Sequence, residues 1–204
     1  MEIRKAKKND VGAIAKLMYS SGAEVYDFVY RTNNKTALDY IRFEYKSGRG
    51  SCGYKNVTVA VKDGEVIATG CFYNGKVYGK LILGVVINMS MFYGLFKFKE
   101  ILNRSKHTGS VMKRPRETEL YLSNFGVSEK YRGQGIGTAM LNKKIAEAQK
   151  ANYKKFILDV SDKNPRAEAL YAKHGMIVTK IKKFTGQRDG IEYSNAKQME
   201  LVLN

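Results

Sequence analysis

The sequence predicts an α/β protein. Two alternating apolar runs around one tight turn, VTVAVKDGEVIATGCFY, predict an antiparallel pair. The last third then reads as strand, glycine loop, helix, strand, helix and two terminal strands, the alternation an α/β sheet requires. At 204 residues with 44% hydrophobic and 27% charged side chains, the chain suits one domain with its own core.

The first residues, MEIRKA, read as a short strand. Asn9 or Asp10 is placed to cap a helix whose Ile14, Leu17 and Met18 share one face. From Gly22 to Gly53 a helical pattern ends in SGRGSCG. That end lacks the serine spacing of a hydrolase nucleophile turn, and it is expected to be a flexible loop. In the strand pair that follows, Asp63-Gly64 supplies the two positive-φ positions of a tight hairpin.

Residues 75 to 118 are expected to form a helical insertion. LILGVVINMSMFYGLF is apolar around most of a helix, but it is shorter than the roughly 20 residues of a membrane span. Asn88 and Ser90 interrupt it and Lys97 closes it. Beyond, Phe98, Ile101 and Leu102 alternate with Lys99, Glu100 and Arg104 as on an amphipathic helix. A buried or partner-facing helix is therefore expected rather than insertion into a membrane. The polar run NRSKHTGSVMKRPRET is expected to be exposed.

In ELYLSNFGV the strand changes phase. Leu120 and Leu122 are apolar at even positions, Phe125 and Val127 at odd ones, and a strand of period two cannot bury both pairs on one face. An extra residue near Asn124 to Gly126, a β-bulge, restores the register and leaves backbone groups unpaired. The loop SEKYRGQGIG follows and opens a helix carrying Met140, Leu141, Ile145 and Ala148 on one stripe. The first turn of that helix has N–H groups without acceptors and a positive dipole end. Glycines at 133, 135 and 137 let an anion approach them, and Arg132 can add charge. The ligand should carry phosphate.

A dinucleotide fingerprint needs G-x-G-x-x-G, and counted from Gly133 the third glycine position is Thr138. Asp159, at the end of the next strand, stands where a ribose-binding acid would fall. However, SEKY separates the strand from the glycines, and no Walker lysine follows.

Arg132-Gly133-Gln134-Gly135-Ile136-Gly137 matches R/Q-x-x-G-x-G/A, and ILDVSDKNPRAEALYAKHGM follows with Asn164, Ala167, Leu170, Tyr171 and Gly175. Together these segments resemble the acetyl-CoA loop and the following strand–Asn–helix segment of the GNAT superfamily of N-acetyltransferases. The match covers residues 119 to 176 and extends to the hairpin and first helix. Met176 stands where the family commonly has phenylalanine.

The resemblance implies a mixed sheet whose two central parallel strands splay apart, flanked by helices, with residues 75 to 118 outside the shared core. It implies acetyl-CoA as cosubstrate and no metal. The pantetheine arm would pair with backbone around Phe125, Gly126 and Val127, and the pyrophosphate would rest on the loop from Arg132 to Thr138, Gln134 and Ile136 included. An N–H near Phe125 would polarise the thioester carbonyl. Asn164 would contact the pantetheine arm, besides capping its helix ahead of Pro165. An amine of lysine-like pKa is only about one part in 10³ neutral near pH 7, so a proton acceptor is required. The resemblance gives Glu119 that role, acting through water, with Tyr121 the alternative on the same strand face. Tyr171 occupies the family's general-acid position, placed to protonate the departing thiolate.

The rest of the sequence narrows the partners. The two cysteines, Cys52 and Cys71, lack metal-ligand spacing, a disulfide is not expected, and a reducing cytoplasm fits. The N-terminus has no apolar core of the kind a secretory signal needs. A formal charge of +17 favours anionic ligands, but it is mostly lysine scattered along the chain, and direct nucleic-acid binding is not expected. A homodimer is compatible with the sequence. Two rival functions carry the same motifs: a non-catalytic acyl-CoA sensor or scaffold, and a dinucleotide-binding enzyme. The acceptor amine itself is not specified.

Overall fold

The computed structural model describes residues 1–187 and 193–203. Seven strands form one sheet: β1 (Glu2–Lys5), β2 (Val57–Lys62), β3 (Glu65–Tyr73), β4 (Glu119–Val127), β5 (Lys155–Ser161), β6 (Ile177–Lys182) and β7 (Ala196–Val202). Their spatial order is β1-β2-β3-β4-β5-β7-β6, and only the central β4–β5 pair is parallel among the described residues. The helices are α1 (Val11–Ser20), α2 (Ala23–Tyr30), α3 (Ala37–Ser47), α4 (Gly75–Val111), α5 (Ile136–Lys150) and α6 (Pro165–Lys173).

Local chemistry accounts for most of these elements. Lys62 pairs with Glu65 across a two-residue turn in which Asp63 and Gly64 have φ of 51° and 79°. Positive φ at both positions gives the turn the twist the hairpin needs. Asp10 precedes α1, and its carboxylate accepts from the Arg4 guanidinium at 2.7 and 3.1 Å, which ties β1 to the helix start. Thr36 caps α3 by accepting from Asp39 N–H, and Gly48 ends it at φ 68°.

The two faces of the sheet carry different helices. On one, Leu120, Leu122, Phe156 and Leu158 pack against Leu141 of α5 and Tyr171 of α6. On the other, Tyr121 and Ile157 pack with Ile14 and Met18 of α1 and Ile41 and Tyr45 of α3. Side chains of this size, fully withdrawn from water, each stabilise the fold by roughly 1.5–3 kcal/mol.

SGRGSCG is not a loose loop. The buried Glu44 of α3 reaches into it and accepts from Cys52 N–H at 2.9 Å, and desolvation pushes its carboxyl up to about 7. Gly50 lies beneath that carboxylate, where a Cβ would come within 2.2 Å of Glu44 Oε1. Alternating glycines suggested freedom; here they permit close packing.

The insertion closes over this loop. Gly84 of α4 sits so near it that a Cβ there would stand 2.5 Å from Gly50 N, and Asn88 donates to Arg49 C=O at 3.2 Å. Gly84→Val should therefore destabilise the protein by about 1–3 kcal/mol, read as a lowered denaturant midpoint. At Gly94 the helix breaks, with φ 71° and ψ 169°, and the nearby Phe92 carbonyl accepts from the Lys35 ammonium. Beyond the break the expected amphipathic helix forms. Ile101 is buried and Phe98 joins an aromatic cluster with Phe28, Tyr40 and Tyr93. The polar run expected to be exposed continues this helix as far as Val111, with only part of its surface in water.

Candidate active site

The site begins where the sheet opens. β4 and β5 pair only from Glu119–Lys155 to Leu122–Leu158; the remaining residues of each strand have no partner on the other. On the opposite edge of β4, Cys71 pairs with Ser123 and Thr69 with Gly126, so Asn124 and Phe125 together face Gly70. This is the bulge expected from the phase change. Asn124 supplies its left-handed residue at φ 52°, a conformation asparagine tolerates better than most. A Cβ on Gly70 would come within 3.0 Å of both the Phe125 and Phe72 rings, and one on Gly126 within 2.6 Å of Leu17 C=O. Those glycines let a ring and the α1 backbone close on the bulge.

β4 runs out into the glycine loop. Gly133 and Gly135 adopt φ of 80° and 75°, and Gly135 is the N-cap of α5 with no side chain capping it. Among the described residues, no protein acceptor stands against the N–H groups of Gly133 through Thr138. Gly133, Gln134 and Gly135 are exposed, and Cβ atoms at 133 and 135 would meet nothing within 4 Å. The loop thus presents a row of unused donors at a positive helix end, a fit for a diphosphate. Arg132 steadies the loop, donating to Val127 C=O at 3.2 Å and pairing with Glu129 at 3.1 Å. Ile136 is buried beside Met140, fixing the helix start against the sheet.

Across the opening stands α6. Asn164 caps it by accepting from Ala167 N–H at 3.1 Å, with Pro165 in the first turn. Tyr171 is buried, its ring centroid 6.3 Å from that of Phe125, and burial alone raises its phenol above the usual value. Phe125, Gly137 and Leu170 crowd together, since a Cβ on Gly137 would lie 3.2 Å from Leu170 and 3.6 Å from Phe125. The bulge, the loop and the α6 tyrosine therefore converge.

The carboxylates divide differently. Glu119 is 3% exposed; one oxygen takes the Lys113 ammonium at 3.2 Å and the other Arg116 N–H at 2.8 Å. Its partner on β5 is Lys155, three rungs or about 10 Å before the strands part. Tyr121 is buried and donates to Asp159 Oδ2 at 2.8 Å, where Lys113 N–H also donates. Asp159 lies one residue past the last paired rung. Desolvation raises its carboxyl, opposed by hydrogen bonds from Lys113 N–H, Tyr121 and Gln198 and by the Lys182 charge. Its Oδ1 is buried and faces the Gln198 amide on β7, whose nitrogen has no other partner among the described residues.

On the α1–α4 side of the bulge, Tyr26 donates to Asn124 Oδ1 at 2.6 Å, and Asn124 Nδ2 approaches Cys52 Sγ at 3.3 Å. Both cysteines are buried free thiols. Sequence reasoning did not name Gln198, and it marked Asp159 only as the acid a dinucleotide's ribose would meet. The one local signal was an acid interrupting the apolar run ILDV.

Opened parallel strands, a bulged edge and an uncapped glycine-lined helix start leave room and donors for an extended, phosphate-bearing ligand. The chain belongs to the GNAT acetyltransferase family: residues 23–176 match the description "Acetyltransferase (GNAT) family". That family moves acetyl groups from acetyl-CoA.

Among solved structures it is similar to an N-acetyltransferase from Staphylococcus aureus Mu50, at 20% identity over 98% of this chain and 100% of that one, with a TM-score of 0.65. It is also similar to a ribosomal-protein-alanine N-acetyltransferase from Brucella melitensis, at 19% identity over 100% of both chains and a TM-score of 0.57. Ard1 from Thermoplasma volcanium shares 18% identity over 100% and 97%, with a TM-score of 0.59. At such identities the likeness is one of fold. No curated protein matches the chain.

Proposed function

We propose that this protein is an N-acetyltransferase using acetyl-CoA to acetylate a primary amine by direct attack. The observation that carries the reading is the opening between β4 and β5, which leads from the bulge at Asn124–Phe125 to unused N–H donors at Gly133 to Thr138. Acetyl-CoA would supply the activated acyl carbon.

The chain's own residues would do the following. The β4 backbone from Phe125 to Val127 pairs with the pantetheine arm, Asn164 borders it, and the loop from Arg132 to Thr138 takes the diphosphate. An N–H at Phe125 stabilises negative charge on the carbonyl oxygen. The amine nitrogen bonds to the carbonyl carbon and the C–S bond breaks, giving an amide and a thiol. The protons balance in three transfers: the ammonium gives one to a carboxylate, which passes it to solvent; Tyr171 gives one to the thiolate; and the second proton of the amine nitrogen, lost as the adduct collapses, returns to Tyr171 through water.

For the carboxylate the geometry favours Asp159 over Glu119. Glu119 has both oxygens engaged and sits well behind the opening, whereas Asp159 stands at it with Oδ1 opposed only by the Gln198 amide. Tyr121 then acts as a positioning residue, holding Asp159 Oδ2. The raised phenol of Tyr171 stays protonated throughout the neutral range, as a proton donor must. The same desolvation raises the thiol it protonates, which keeps the transfer within reach.

The test combines calorimetry with coenzyme A and thiol release from acetyl-CoA against an acceptor panel. The Brucella melitensis protein is named for a ribosomal-protein alanine, so alanine-terminated peptides join lysine peptides and small primary amines. Binding without thiol release for any acceptor would favour a non-catalytic acyl-CoA sensor. Tyr171→Phe should lower kcat by about 10²-fold and leave acetyl-CoA affinity unchanged. Unchanged turnover would remove Tyr171 from the mechanism.

A further inference from the structure

The outward face of α4 is apolar, and it is not part of the acetyl-transfer site. The helix docks on α2, α3 and the loop after α3, with Leu81 and Met89 buried and Gly84 and Asn88 against Arg49 and Gly50, so its polar Asn88 points inward. Its solvent side instead carries Leu83, 60% exposed, with Ile82 on one flank and Met91, also 60% exposed, on the other. Just past the break at Gly94, Leu95 and Phe96 stand 80% and 101% exposed. Monomeric soluble proteins seldom leave so many large apolar side chains of one segment in water.

Charge selects what covers it. Between Glu65 and Glu100 the chain contains no acidic residue, and its lysines there are Lys76, Lys80, Lys97 and Lys99. All four are exposed; Lys97 also pairs with Glu100 at 3.1 Å. Lys76, Lys80, Leu83 and Ile87 recur at helical spacing, so cation and apolar side chains share one stripe. Lysines of this length can lay their stems beside buried apolar groups and keep their ammonium groups in a headgroup layer.

We propose that this face of α4 rests on an anionic phospholipid surface, with Leu95 and Phe96 entering the headgroup–acyl boundary and Lys76, Lys80 and Lys99 meeting lipid phosphates. The helix lies on the bilayer and does not cross it. By length and apolar content α4 could span a membrane, but its inner face is occupied by protein. A second copy is disfavoured because the same lysines would face each other across the contact, between chains each carrying +17.

The experiment is flotation of the whole protein with phosphatidylcholine vesicles, with and without phosphatidylglycerol. Binding should be at least about tenfold greater with the anionic lipid and should weaken in salt. Leu95→Glu with Phe96→Glu should reduce it about tenfold or more while coenzyme A affinity, measured in parallel, stays unchanged. Lys76→Gln and Lys80→Gln serve as independent variants, each costing about fivefold.

No binding by protein that still takes up coenzyme A overturns the proposal. So does equal binding to both vesicles, or undiminished binding by the Leu95/Phe96 variant. A parent that sediments as a dimer, with the same variant a monomer, assigns the face to a second copy and also overturns it.

Discussion

Asp159→Asn should lower turnover by about 10²–10⁴-fold, with acetyl-CoA affinity expected to match that of the parent protein. The loss is expected because the substitution keeps the shape and removes the only function a carboxylate at the opening can supply, a basic oxygen. Tyr121 can still donate to the retained amide oxygen, so the positioning survives and the effect falls on kcat. Glu119→Gln is the control. Its carboxylate secures Lys113 and Arg116 N–H at the start of β4, and its loss should be felt in stability, with turnover largely preserved. The reverse pattern, an active Asp159→Asn and an inert Glu119→Gln, would return the proton-acceptor role to Glu119.

The pH profile gives an independent reading. Desolvation raises the Asp159 carboxyl, and the working base is the deprotonated form. Activity should therefore fall as pH drops through that raised value, with the acid limb above the usual aspartate range near 3.9. Glu44, at about 7, also titrates, but it faces Cys52 N–H inside the α3 loop. A limb that persists in Asp159→Asn would belong to Glu44 or another group. One that disappears belongs to Asp159.

The features legible in the sequence are those set by short-range geometry. Asp63-Gly64 demands two positive-φ residues, Leu120/Leu122 against Phe125/Val127 demands an extra residue, and Asn164-Pro165 demands a helix start; each occurs where expected. The choice between acids was not legible. It depends on where β4 and β5 stop pairing, a property of two strands some thirty residues apart in sequence, not of either alone. The orientation of α4 was hidden for a similar reason. A run apolar around most of a helix does not say which side packs inward; Asn88 turns inward because Arg49 C=O, in a loop from another part of the chain, needs a donor. SGRGSCG read as flexible because glycine's second use, admitting a buried side chain such as Glu44, shows only once the partner is in place.

Gly135→Asp should abolish acetyl-CoA binding and leave the protein folded. Gly135 is the N-cap of α5, a position where aspartate is ordinarily favourable because its carboxylate accepts from the first-turn N–H groups. The local φ of 75° costs a non-glycine residue about 1–2 kcal/mol, partly returned by that capping bond. Stability should thus change little. Binding suffers twice. The carboxylate takes the donors that the diphosphate would use, and it places like charge against the diphosphate, roughly 4 kcal/mol at about 4 Å near a protein surface, or close to 10³-fold in affinity. Gly135→Ala separates the two contributions, since its Cβ would meet nothing within 4 Å and only the backbone strain remains. Calorimetry with coenzyme A should then rank parent, alanine and aspartate in falling order, the last step much the larger. A folded Gly135→Asp protein that binds coenzyme A as tightly as the alanine variant would mean that the diphosphate does not rest on this helix start.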